Sequence, residues 1–203
     1  MTSLSLRPAK KDDASDMAVL ADMAGHGLPA WIWASGGDKE FTSALEAGRA
    51  RALRETGAFS WRNAQIAELD GRVAGLLVGY RQPDIAEAAD LDELPAPIRP
   101  IVDLEAQAPG TWYVNMIAVF SECRRFGVGR MLMHEAQSRA TASAATGLSL
   151  IVEDTNAAAA AFYDRIGFKQ ADTRPYIPFP GGPDASRWVL MIKSLQAGRT
   201  PHG

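Results

Sequence analysis

The sequence predicts a mixed α/β protein, and three stretches carry that expectation. Residues 112–130 run an apolar, β-branched strand into a short loop with two arginines and two spaced glycines, and an amphipathic helix starts at Val128. Residues 148–152 read as a buried strand; helix-capping residues at 153–156 and the alanine run 157–161 then start a second helix. Residues 64–69 and 73–80 read as two strands, and Asp70-Gly71-Arg72 between them is a hairpin turn.

The remaining elements follow in order. Residues 4–7 alternate as a short strand, and residues 12–23 form a helix with Met17, Leu20, Ala21 and Ala24 at helical spacing. Residues 25–38 hold glycines, Pro29, Trp31 and Trp33, which fits a loop or a broken helix. A helix is expected over 40–55, and residues 168–177 and 188–193 close the list as strands. Gly167-Phe168 ends the second helix. No internal repeat is visible. The whole reads as a single domain over 1–195 with a frayed polar tail at 196–203.

Composition narrows the function. At 203 residues and 47% hydrophobic the chain can bury one substantial core, which leaves little for a second full domain. The balance of 21 basic against 24 acidic side chains argues against a dedicated nucleic-acid binder. The lone Cys123 excludes an intrachain disulfide framework and fits a reducing compartment. No stretch looks like a signal peptide or a membrane span, so a cytoplasmic protein without membrane contact is expected. No His, Cys or carboxylate spacing suggests a metal.

The loop at 124–130 leaves backbone N–H groups at a helix N-terminus, where the dipole favours an anion. Arg124 and Arg125 add charge suited to phosphate oxygens. A Walker loop needs Lys and then Ser or Thr after its last glycine, but Arg130 and Met131 follow Gly129. A dinucleotide fingerprint needs a third glycine where Leu132 stands. Both readings fail, and Arg124-x-x-Gly127-x-Gly129 remains, preceded by Ile117-Ala118-Val119 at the end of a strand.

That pattern resembles the acetyl-CoA signature, Gln/Arg-x-x-Gly-x-Gly/Ala, of the GNAT superfamily of N-acetyltransferases. Downstream, Asn156-x-x-Ala159-x-x-Phe162-Tyr163-x-x-x-Gly167-Phe168 resembles the second cofactor motif of the same superfamily. Asn156 and Tyr163 lie close to two helical turns apart and so share a face. The resemblance implies a mostly antiparallel central sheet with helices on both faces and a splayed parallel pair at strands four and five. This is α/β, or α+β by some schemes.

The resemblance also implies transfer of acetyl from acetyl-CoA to an amine. The backbone of Arg125, Phe126, Gly127, Val128, Gly129 and Arg130 would grip the pyrophosphate. Ile117, Ala118 and Val119 would hydrogen-bond the pantetheine arm, and a main-chain N–H at that edge would stabilise the oxyanion. Tyr163 would be the general acid for the leaving thiolate, with Phe162 packed beneath it, Ala159 leaving room and Asn156 touching the cofactor arm. Taken alone, Tyr163 also fits a boundary tyrosine with a wet hydroxyl, and Asn156 a plain N-cap.

The general base is not legible. Asn115 stands where many members place a carboxylate, and it can at most hold a relaying water. Glu68, Glu105 and Glu153 are candidate bases; His26 and His134 are weaker ones. Residues 82–110 form an insertion with five prolines, seven acidic residues and Arg99 as its one base. It reads either as an acidic flap attracting a cationic acceptor or as a solvated surface insertion. By family analogy the acceptor pocket falls near Trp31, Trp33 and Tyr176, which also fit core packing. A small-molecule amine is the expected acceptor. A peptide amine, a non-catalytic CoA-binding module and a homodimer stay open.

Overall fold

A computed structural model describes residues 2–35, 41–86 and 90–195. The expected tail at 196–203 therefore lies outside the described residues, as do residues 36–38 of the expected loop and residue 40 of the third expected helix. One seven-stranded sheet runs in the order β1-β2-β3-β4-β5-β7-β6, with β1 Leu4–Pro8, β2 Ala64–Leu69, β3 Arg72–Arg81, β4 Trp112–Val119, β5 Gly147–Glu153, β6 Lys169–Pro175 and β7 Arg187–Ser194. The β1–β2, β2–β3, β5–β7 and β6–β7 pairs are antiparallel. The pair β4–β5 is parallel, with Trp112 opposite Leu148 and Tyr113 opposite Ser149. The helices are α1 Ala14–Ala24, α2 Leu28–Ser35, α3 Ala44–Ala52, α4 Arg99–Glu105, α5 Val128–Ala142 and α6 Ala157–Arg165.

The chain divides into two compact units. The first comprises Met1–Tyr80, Val114–Ala136 and Pro178–Asp184. Its core is built from Met17, Leu20 and Ala21 of α1, Trp33 of α2, Ala47 of α3 and Ile66, Leu76 and Val78 of the hairpin. The start of α1 is fixed by charge. Asp13 accepts from the Lys10 N–H at 2.6 Å, and Arg7 holds both its carboxylate oxygens at 2.7 and 2.8 Å.

Of the two readings of residues 25–38, a loop or a broken helix, the described part takes the second, with α2 at Leu28–Ser35. His26 (φ 47°) and Gly27 (φ 88°) reverse the chain after α1, and Pro29 sits in the first turn of α2, where its missing N–H costs nothing. Ser43 caps α3 by accepting from the Glu46 N–H at 3.2 Å, and Glu46 accepts in return from the Thr42 N–H. Asp70 (φ 52°) and Gly71 (φ 76°) make the tight turn of the β2–β3 hairpin. Gly75 permits a close approach. A Cβ there would lie 2.7 Å from the Ala118 carbonyl oxygen and 3.0 Å from Val128 Cγ1.

The second unit comprises Arg81–Tyr113, Gln137–Ile177 and Ala185–Gly203. It holds residues 82–110, of which 83–86 are exposed and the part from Pro97 onward is largely covered. That segment forms α4, which packs against β5, β6 and β7 and buries Pro97, Pro100, Leu104 and Ala108. The prolines that read as loop punctuation occupy helix starts, where the ring's fixed φ is an advantage. Its acids also find partners. Asp84 pairs with Arg81, Asp92 with Arg99, and Asp103 with Arg174 of β6, so much of the expected acidic field is neutralised in place. Glu105 ends α4 largely buried. Burial pushes its carboxyl up to about 7, against hydrogen bonding with Tyr113 and Gln82 that pulls it down.

Two outcomes are expected. Gly75→Ala should lower the unfolding free energy by about 2 kcal/mol, read by chemical denaturation, because backbone and two side chains must give way. Glu105 binds its proton more tightly folded than unfolded, where the ordinary value is 4.5. Its contribution is therefore complete below that value and is lost as pH rises through about 7. Wild type should lose roughly 2–3 kcal/mol between about pH 5 and pH 8 from this group, and Glu105→Gln should flatten the decline in a pH series of melts.

Candidate active site

In the first unit, the end of β4 turns into the arginine–glycine loop. The Phe120 N–H donates to the Ala74 carbonyl at 3.0 Å, and the Arg124 Nε donates to the Val119 carbonyl at 3.3 Å. Arg125 (φ 68°) and Gly127 (φ 88°) both take left-handed backbone, and α5 begins at Val128. The Met131 N–H bonds to the Gly127 carbonyl at 3.0 Å. The N–H groups just before it, at Val128, Gly129 and Arg130, have no acceptor within the helix, as at any helix start. Arg124, Arg125, Phe126, Gly127 and Arg130 are exposed, Val128 is buried, and Ile117, Ala118 and Val119 are half-buried.

The loop suits a diphosphate. A Cβ on Gly127 would meet nothing nearer than Leu4 Cδ2 at 4.0 Å, and one on Gly129 nothing nearer than Val119 Cγ2 at 3.9 Å. The protein side of the loop is open where an anion would lie, and Gly127 is required first by its positive φ.

The second unit holds the other motif. Asn156 Oδ1 accepts from the Ala159 N–H at 3.2 Å, so it caps α6. Ala159 and Phe162 are half-buried. Tyr163 is 9% exposed. Its ring packs between Phe162 and Phe168, with centroids at 5.6 and 5.8 Å. Burial pushes its hydroxyl up to about 12, and the charge of Glu153 adds to the shift. Glu153, at the end of β5, is 3% exposed and stands opposite Trp188 of β7. The same carboxylate and burial raise Tyr176, which packs on Trp188 at 5.3 Å. The Glu153 charge thus acts on two tyrosines that the sequence had placed in separate roles.

The other candidates fall in varied settings. Glu68 is held by Arg7 at 2.7 Å, in the network that also binds Asp13. Asn115 is half-buried on β4, His26 lies in the α1–α2 turn and His134 is exposed. Trp33 is 5% exposed, stacked on Phe59 at 5.5 Å and flush against Gly48, where a Cβ would strike its ring. Trp31 is half-buried and packs on Phe179 at 5.8 Å. Phe179 was missed in the sequence; its one signal is an aromatic ring between two prolines. A Cβ on Gly27 would lie 3.7 Å from the Gly181 carbonyl, so residues 178–184 lie against the α1–α2 turn. Among the described residues no cluster of His, Cys, Asp and Glu could hold a metal, and no helix is long and apolar enough to cross a membrane.

Comparison with known proteins agrees with this geometry. The profile of the acetyltransferase (GNAT) family matches residues 26–168. No curated protein matches the chain. Among solved structures, an acetyltransferase aligns with TM-score 0.63 at 23% identity, covering 95% of this chain and 100% of its own. An N-acetyltransferase from Staphylococcus aureus Mu50 aligns with TM-score 0.64 at 19% identity, covering 93% and 99%. Chaetomium thermophilum Naa20, solved with a bisubstrate analogue, aligns with TM-score 0.59 at 18% identity, covering 94% and 86%. At these identities the likeness is one of fold, and the family match carries the assignment. The chain belongs to the acetyltransferase (GNAT) family, whose members are acyltransferases that use acetyl-CoA.

Proposed function

We propose that this enzyme acetylates a primary amine of a small molecule by direct attack, with Tyr163 as general acid and Glu153 as general base. The observation that carries the reading is the buried Glu153 carboxylate acting on the buried Tyr163 hydroxyl. Acetyl-CoA supplies the acetyl group as an activated thioester. The exposed loop from Arg124 to Arg130 holds its pyrophosphate through backbone N–H groups and guanidinium charge. Ile117, Ala118 and Val119, at the end of β4, offer main-chain groups to the pantetheine arm. Asn156, Ala159 and Phe162 line the arm on α6.

The proton chemistry follows from the coupling. An alkylammonium with a pKa near 10.4 must lose a proton before its nitrogen can attack. Glu153 takes that proton. Tyr163 stays protonated across the neutral range and donates at the leaving sulfur. A thiol ordinarily titrates near 8.5, so a phenol at about 12 gives up its proton uphill. Protonation of Glu153 removes one of the two causes of that shift, so Tyr163 becomes the stronger acid as the sulfur departs. Tyr163 then regains its proton from Glu153, and the second proton of the attacking nitrogen, shed as the tetrahedral adduct collapses to the amide, leaves to solvent. The Cys123 thiol is pushed up by burial and by Glu122, which argues against an acyl-cysteine route.

For the acceptor, Trp31 with Phe179 provides an aromatic wall, backed by the sealed Trp33. The close approach of residues 178–184 to the α1–α2 turn favours a compact amine over an extended chain.

Tyr163→Phe should lower kcat at least tenfold and leave CoA affinity nearly unchanged by calorimetry. Glu153→Gln should lower kcat comparably with an alkylamine but much less with an amine already neutral at pH 7; an equal loss with both would remove Glu153 as the base.

A further inference from the structure

Phe126 stands in the phosphate loop and is 53% exposed as a residue. Among the described residues the other exposed large hydrophobics are Val19, Leu45 and Ile85, all aliphatic. An exposed phenylalanine forfeits the transfer free energy that burial would return. Its neighbours Arg125 and Gly127 both take positive φ, so the chain bends on either side of it. Arg124, Arg125 and Arg130 are exposed around it. A flat apolar ring set among cations matches a ligand that joins a flat π-system to phosphates. An acidic peptide would use the arginines but not the ring, and a second apolar surface would use the ring but not the arginines.

We propose that Phe126 is a stacking platform for the adenine ring of acetyl-CoA, so that the loop reads the nucleotide end of the cofactor as well as its pyrophosphate. The inference rests on the loop's assignment as the cofactor site. One ribose separates the adenine from the pyrophosphate, which brings the base within reach of a side chain in the same loop. Base–aromatic stacking supplies affinity without hydrogen-bond readout, and a single platform changes affinity about tenfold.

Calorimetry of CoA and of 4′-phosphopantetheine, which lacks the whole adenosine 3′,5′-bisphosphate half and keeps one phosphate, separates the alternatives. Phe126→Ala should raise the Kd for CoA about tenfold and leave that for 4′-phosphopantetheine unchanged, and Phe126→Trp should restore CoA binding. An unchanged Kd for CoA in Phe126→Ala, or an equal loss of both ligands that Trp does not rescue, would overturn the proposal while leaving the cofactor loop intact. Failure of the wild-type protein to bind CoA would overturn the cofactor assignment and the platform with it.

Discussion

Two parallel strands cannot be joined by a tight turn, so the ladder that pairs Trp112 and Tyr113 with Leu148 and Ser149 obliges the chain between them to leave the sheet and return. A buried bond of 2.7 Å between the Thr111 and Ser149 hydroxyls reinforces the ladder. The departing chain makes the arginine–glycine loop and α5, and the returning strand β5 ends at Glu153, just ahead of α6. The main chemical features of the protein therefore follow from one parallel pairing.

At the end of β5 a different constraint takes over. Burial and the nearby Glu153 charge both disfavour ionisation of the Tyr163 phenol, which therefore stays protonated. Tyr163 is thereby kept as a donor by the group proposed to gain a proton during the reaction. Acid and base need no separate tuning, because the state of one sets the strength of the other. The aromatic packing of Phe162 and Phe168 around Tyr163 excludes the water that would weaken this coupling.

What the sequence made legible were features whose backbone admits few residues. Gly127 and Gly71 take positive φ, Asn156 caps a helix, and β2, the β2–β3 turn and the start of α5 fall as expected. Features that depend on distant partners stayed hidden. The prolines of 82–110 read as a loop because the β-sheet surface that receives α4 comes from strands far along the chain. Glu68 and Glu153 look alike in sequence. Arg7, across the β1–β2 register, ties up Glu68, whereas burial opposite Trp188 sets Glu153 beside tyrosines. Trp31 and Trp33, two residues apart, diverge because Gly48 and Phe59 seal only the second. Spacing placed Tyr163 on a helix face but could not give its depth.

The coupling between Glu153 and Tyr163 is the central claim, and a titration tests it directly. In protein with 13C-labelled tyrosine rings, NMR should show Tyr163 staying protonated up to about 12 in the wild type and titrating lower in Glu153→Gln. A Tyr163 resonance that titrates near the ordinary value of about 10, unchanged by the substitution, would contradict the account.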